Sequence, residues 1–112
     1  MRAGFVPDSG DLIWLSLDPQ AGREQAGRRP ALVLSPKLYN QKAGLALVCP
    51  ITSQMKGYPF EVALPQGRGV SGIILADYVK SVDWRARSAS KIGSSSESLE
   101  EVLARLAPLL GY

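Results

Sequence analysis

Short apolar runs separated by glycine and proline are the feature that most constrains how this chain can fold. Runs of this length suit β-strands, and clusters of glycine, proline and small polar residues suit the turns between them. The pattern predicts strands at residues 11–17, 30–35, 45–51, 60–64, 70–76 and 79–84, with a further short strand near 91–92. In the second of these, Pro30 is expected at the first position, because proline cannot donate a ladder hydrogen bond.

The end of the chain predicts a helix instead. Its apolar residues recur at spacings of three and four over residues 94–111, and Pro108 should loosen the last turn. A shorter helix is predicted with Ser35 as its N-cap and Pro36 as its first residue, ending near Gly44. The fold class expected is therefore mainly β with a C-terminal α-helix: a small curled antiparallel sheet or barrel plus a short helix, in one domain over residues 1–112.

The sequence of 112 residues contains no histidine and one cysteine. This excludes Ser-His-Asp and Cys-His catalysis as well as histidine-rich metal sites. Cys49 lies inside an apolar run, which favours a small buried hydrophobe over a nucleophile. Since no paired-carboxylate motif stands out either, no metal or other cofactor is expected.

Positive charge is concentrated in the part of the chain predicted to be β. Residues 94–112 carry a net −2 while the whole chain carries +3, so residues 1–93 carry +5. This balance suits an anionic partner without requiring one. No apolar run approaches the roughly 18 residues of a membrane span, and no signal-peptide pattern opens the chain, so a cytoplasmic setting is expected.

A charged loop leads into the second predicted strand. Arg23, Glu24, Arg28 and Arg29 all precede Pro30 within a few residues. A loop held by a buried strand often presents binding or catalytic groups. Taken alone, however, these charges fit a solvated surface better, with ion pairs worth less than about 1 kcal/mol each.

An ordered series of short sequence blocks favours a functional loop over a solvated surface. Among these blocks are Arg28-Arg29-Pro30, Pro50-Ile51-Thr52 and Lys56-Gly57-Tyr58-Pro59. The blocks lie at residues 7–14, 24–35, 39–40, 49–52, 56–62, 75–81 and 84–87. In this order, over nearly the whole chain, they resemble the MazF/PemK toxins, which are endoribonucleases (mRNA interferases) of type II toxin–antitoxin systems. The similarity is weaker in the C-terminal helix.

The resemblance implies an SH3-like barrel, a homodimer and metal-independent cleavage of single-stranded RNA at short sequences, with no membrane partner. It also implies a cognate antitoxin whose acidic, disordered tail covers the RNA groove, with any DNA contact made only through that antitoxin. Arg29 and Thr52 would act at the scissile phosphate, and Glu24 is implicated as well. The RNA-binding positions implied are Gln25, Arg28, Lys56, Tyr58, Asp77, Tyr78 and Lys80.

Two positions depart from relatives of this family. Arg28 stands where some members have histidine, so a histidine-dependent role is lost while phosphate contact is kept. Tyr78 stands where some have glutamine, so a base preference cannot be transferred.

Metal-free cleavage of RNA is chemically reasonable because the 2′-OH is an internal nucleophile, and the expected ends are a 2′,3′-cyclic phosphate and a 5′-OH. Arg29 offers a planar fork for phosphate oxygens but stays charged, which makes it a poor base. Glu24 is the better base, and Thr52 could hydrogen-bond a non-bridging oxygen or orient the 2′-OH. Which residue is general base and which general acid stays open.

A different class of function uses the same fold. Some toxins with this barrel bind and poison DNA gyrase without cutting RNA, and their C-terminal Trp-Gly-Ile is only faintly echoed by Leu110-Gly111-Tyr112. A peptide-binding SH3-like module is the third alternative, and it leaves the arginine loop unexplained. Arg85 and Arg87 are expected to brace the fold or a dimer rather than to bind phosphates.

Overall fold

Strand pairing is antiparallel throughout the described part of this protein, residues 4–16 and 27–112 of a computed structural model. The elements are β1 (Asp11–Ser16), β2 (Arg28–Val33), α1 (Lys37–Ala43), β3 (Ala46–Thr52), β4 (Glu61–Ala63), β5 (Ile73–Leu75), β6 (Lys80–Val82), β7 (Ser90–Ser94) and α2 (Ser96–Leu109). The expectation of a mainly β chain with a C-terminal helix is confirmed.

The sheet has the strand order β4-β5-β3-β2-β1-β7, with β6 beside the first half of β3 and β5 beside its last two residues. Its two ends approach each other because the turn between β4 and β5 lies against β7. A Cβ added at Gly93 would stand only 2.7 Å from the carbonyl oxygen of Arg68 in that turn. The predicted curled sheet is thus confirmed, with loop contact rather than strand pairing joining its ends in the described residues.

Alternation along the strands divides the apolar side chains between two faces. On one face, Leu12, Leu32 and Cys49 join a core with Val102 and Leu106 of α2. On the other face, a second cluster forms around the buried side chain of Trp84. The members of that cluster that come from the first three strands are Ile13, Leu15, Ala31, Val33, Ala46 and Val48.

Several details of the predicted chain path are wrong. Strand β2 begins at Arg28, so Pro30 is its third residue rather than its first. The position is tolerated because pairing with β3 starts only at Ala31, opposite Pro50.

The start of α1 also differs from expectation. Its N-cap is Pro36, which contributes no side-chain cap, and Asp8 instead accepts the Lys37 N–H at 2.9 Å. Ser35 turns inward, where its hydroxyl donates to Asn40 Oδ1 (2.5 Å) and accepts the Leu47 N–H (2.9 Å). The helix ends as predicted at Gly44, which adopts a left-handed φ of 73°.

The predicted strands 70–76 and 79–84 are each observed as three residues only, because turns occupy their ends. Helix α2 begins two residues later than predicted, after Ser95, whose side chain accepts the Ser98 N–H. Pro108 lies in its last turn, where the Leu110 N–H bonds to both the Leu106 and Ala107 carbonyls. These bonds tighten the last turn, and the prediction that Pro108 loosens it is wrong.

Candidate active site

The register of β2 against β3 directs Arg29 and Thr52 towards the same groove. Ala31 pairs with Pro50, so continuing this antiparallel register by two residues sets Arg29 opposite Thr52. Alternation puts both on the face that also carries Ala31. Both side chains line one open groove, and their convergence from two strands was expected only from the resemblance.

Arg28, although adjacent in sequence, belongs to the opposite face of β2. Its guanidinium lies 5.0 Å from the centre of the Trp14 ring, a cation–π distance, and its Nη2 reaches Ser90 Oγ at 3.4 Å. Arg28 and Trp14 also line the groove, and the contacts of the Arg28 head group given by the structure are those to Trp14 and Ser90.

The groove has a volume of about 1000 Å³ and a cationic lining. Arg28, Arg29, Lys80 and Arg87 contribute to it, and no carboxylate does among the described lining residues. The Arg87 guanidinium donates to the Ser16 carbonyl at 2.9 Å, so part of its hydrogen bonding braces β1, in line with its expected structural role. A groove of this polarity attracts an anionic chain such as a phosphodiester backbone.

A smaller pocket of about 130 Å³ continues this groove, since Thr52 and Gln54 line both. It gathers four of the predicted RNA-binding residues, namely Lys56, Tyr58, Asp77 and Tyr78. The two tyrosines are 62% and 57% exposed, so their rings are available to a ligand. Stacking of a base on such a ring is the usual mode of single-strand binding.

The predicted site residues therefore divide into three groups. Arg28, Arg29, Thr52 and Lys80 line the large groove, and the four residues just named line the small pocket. Glu24 and Gln25 lie outside the described residues.

Sequence reasoning missed three residues of this region. Gln54 lines both pockets, and its N–H donates to Thr52 Oγ1 at 3.2 Å, which orients that hydroxyl. Ser71 lines the large groove, and nothing in its sequence context indicated it. Glu61 lines the small pocket and holds the loop before it. Its place next to Phe60, within one of the blocks, was the available signal.

Cys49 is fully buried, which confirms its assignment as a core residue. Burial raises the pKa of its thiol to about 12, with a smaller contribution from the negative charge of Asp77. The thiol is neutral at physiological pH and is not a nucleophile. Within the described ranges no cluster of three potential metal-ligating side chains occurs. The same ranges contain no helix long and apolar enough to cross a membrane.

Comparison with known proteins decides the family. The model of the PemK-like, MazF-like toxins of type II toxin–antitoxin systems matches residues 8–110. The chain belongs to the PemK/MazF toxin family. The endoribonuclease toxin MazF of Escherichia coli K12 is 53% identical over 112 residues, which cover 99% of this chain and 100% of that protein.

Solved structures agree with this assignment to the PemK/MazF family. A crystal structure of MazE–MazF from Deinococcus radiodurans superposes with a TM-score of 0.86 at 50% identity, over 96% of this chain and 98% of that one. A crystal structure of MazF from the same organism gives 0.85 at 55% identity, over 97% and 100%. These similarities favour the endoribonuclease over the gyrase-binding alternative, to which they lend no support.

Proposed function

We propose that this chain is a toxin endoribonuclease that cleaves single-stranded RNA at short sequences without a metal ion. The observation that carries the proposal is that Arg29 and Thr52, from neighbouring strands, line the same cationic groove. The 2′-OH loses its proton and attacks the adjacent phosphorus, the bond to the 5′-oxygen breaks and that oxygen takes up a proton, so that a 2′,3′-cyclic phosphate and a 5′-OH result. No water or external nucleophile is needed for this step.

Arg29 is assigned to the phosphorane. Its guanidinium carries donors in a planar fork and keeps its charge, so it stabilises the negative oxygens that develop in the transition state. Thr52 accepts the Gln54 N–H through its hydroxyl oxygen, which leaves its O–H as a donor to a non-bridging oxygen or to the 2′-OH. Glu24 is the proposed proton acceptor, in accordance with its intrinsic acidity.

The remaining positions are proposed to bind the flanking nucleotides. Lys80 borders the large groove and suits a backbone phosphate. Tyr58 and Tyr78 offer ring faces to bases, while Lys56 and Asp77 supply a donor and an acceptor beside them. Arg28 and Gln25 complete the proposed RNA-binding set.

The partners follow from the same family. MazF of Deinococcus radiodurans has been crystallised with MazE, and we propose that a cognate antitoxin with an acidic tail neutralises this chain by occupying the cationic groove. A homodimer in the cytoplasm, with one domain per chain over residues 1–112, completes the proposal.

The test is digestion of diverse single-stranded RNAs in EDTA, with the ends identified chemically. The purified protein should leave cyclic-phosphate and 5′-OH ends, and Arg29→Ala should lower kcat by about 10²–10³-fold, the usual cost of a transition-state donor. Arg28→Ala is the matched control, because it removes the same charge from the next residue on the opposite face. We expect it to lose less than about tenfold, as befits a peripheral phosphate contact.

Intact RNA in the presence of folded wild-type protein would refute the proposal. Equal losses of kcat in Arg29→Ala and Arg28→Ala would show that Arg29 has no special role in stabilising the transition state. A pull-down of gyrase that survives Arg29→Ala, with no RNA cleavage, would favour the alternative function.

A further inference from the structure

The loop between β3 and β4, residues 53–60, carries two of the proposed RNA-binding side chains. Lys56 and Tyr58 both line the small pocket beside Thr52. All residues from 53 to 59 are exposed, so packing alone does not fix the loop. Its conformation has to come from hydrogen bonds instead.

The carboxylate of Glu61 supplies those bonds. Its Oε1 accepts the Gly57 N–H at 2.9 Å, and its Oε2 accepts the Lys56 N–H at 3.0 Å, with a longer contact of 3.2 Å from Lys56 to Oε1. The Glu61 N–H in turn donates to the Tyr58 carbonyl at 3.1 Å. Charge-assisted bonds of this kind are stronger than neutral ones. Glu61 thus binds the loop backbone at both proposed RNA-binding residues, Lys56 and Tyr58.

A second anchor holds the same loop from the opposite face of the sheet. Arg105 of α2 donates from its guanidinium to the Pro59 carbonyl and also pairs with Glu101 at 3.1 Å. The loop is consequently fixed at Lys56 and Gly57 by β4 and at Pro59 by α2, with Tyr58 between the two anchors.

Placing a carboxylate here opposes the attraction of an anionic ligand. Glu61 lines the small pocket together with Asp77, close to where the proposed RNA would lie. By charge alone, its removal should strengthen RNA binding, since an added net positive charge raises affinity for phosphates. A role in holding the loop predicts the reverse, and this difference in sign makes the two explanations separable.

We propose that Glu61 is a positioning residue that sets the loop 53–60 for RNA recognition, acting through the backbone of Lys56 and Gly57. The inference rests on the proposed RNA-cleaving function. Since Arg29 and Thr52 are held by their own strands, Glu61 governs binding and base preference more than the chemical step.

The experiment compares steady-state cleavage by wild type, Glu61→Ala and Glu97→Ala. Glu97 is the charge-matched control, because its carboxylate pairs with Arg68 and lines neither pocket. For Glu61→Ala we expect KM to rise about tenfold and kcat to stay within about threefold, the pattern of lost binding rather than lost transition-state contact. For Glu97→Ala we expect KM unchanged or lower.

Glu61→Gln provides the conservative variant. Its remaining carbonyl oxygen can still accept the Gly57 N–H, whereas its amide nitrogen cannot accept from Lys56. We expect an intermediate KM and, in amide hydrogen exchange of the free protein, protection retained at Gly57 but reduced at Lys56, whose N–H keeps only the longer contact with Oε1. This variant also keeps the test valid if Glu61→Ala folds poorly.

Lower KM in both alanine variants, or unchanged amide protection in Glu61→Ala, would overturn the inference. A double-mutant cycle with Lys56→Ala adds a further criterion: full additivity of the two losses would mean that Glu61 does not act through this loop. If the wild-type protein itself leaves every RNA intact, the proposed function fails instead, and the two failures are therefore distinguishable.

Discussion

Gly72 is the position where a single methyl group should disturb both the fold and the proposed catalysis. Its φ of +146° lies in a region that residues with a Cβ rarely adopt, and an added Cβ would stand 2.7 Å from the Thr52 carbonyl oxygen and 2.8 Å from Ile51 Cγ2. The backbone conformation alone costs about 1–3 kcal/mol. Overpacking of a core by one carbon costs typically about 1–3 kcal/mol more.

Gly67→Ala is a matched control for Gly72→Ala. Gly67 also has a positive φ, +82°, but nothing lies within 4 Å of its added Cβ. Its substitution should cost only the conformational term, about 1–2 kcal/mol. The difference in the free energy of unfolding between the two variants, measured by urea denaturation, therefore reports the contact with β3 together with the less favourable φ of Gly72.

The contact also predicts a loss of turnover. To restore an ordinary separation of 3.4 Å, the Thr52 carbonyl must move by about 0.7 Å. Misplacement of a reacting group by about 1 Å can cost 10²-fold, so we expect kcat of Gly72→Ala to fall by about 10–100-fold while Gly67→Ala stays near wild type. Equal stabilities and equal turnover in the two variants would refute the reasoning.

Two further predictions concern the core and the C-terminal helix. Because burial raises the pKa of Cys49 from 9.0 to about 12, the folded thiol keeps its proton while the unfolded one ionises. The contribution of the thiol to the free energy of unfolding should be fully present below pH 9 and fall by up to about 1.4 kcal/mol per pH unit between pH 9 and 12. In urea denaturation, the free energy of unfolding should therefore decrease less between pH 8 and pH 10.5 for Cys49→Ala than for the wild type. An identical decrease in the two proteins would contradict this prediction. At the start of α2, the Ser95 hydroxyl accepts the Ser98 N–H at 3.3 Å and contacts Ser98 Oγ at 2.7 Å, and both hydrogen bonds are buried. Ser95→Ala should therefore destabilise the protein by about 1–2 kcal/mol. A thermal unfolding temperature unchanged within error would show that the cap contributes nothing.

The sequence was informative wherever one local rule decided the structure. A short apolar run between turn residues located β1, and apolar residues at spacings of three and four located α2. It was less informative at strand ends, where turn residues shorten β5 and β6 to three residues each. The N-cap of α1 was misassigned because Asp8, distant in sequence, takes the place of Ser35.

For the candidate site, residue types could be predicted and their arrangement could not. Arg28 and Arg29 are indistinguishable in composition and both line the groove, yet alternation puts them on opposite faces of β2, and only Arg28 lies against the Trp14 ring. The Glu61 carboxylate accepts the backbone N–H groups of residues four and five positions earlier, and these bonds depend on the conformation of the loop. No rule of sequence spacing predicts them.

The dependence of the site on strand register links the core to the proposed chemistry. Arg29 and Thr52 share a face only while Leu32 stays paired with Cys49, since a slip of one residue would send one of the two to the opposite face. The same slip would remove Cys49 from the core that packs under α2 and expose a buried face. The apolar contacts that hold the helix against the sheet therefore also exclude the registers in which the proposed active site cannot form.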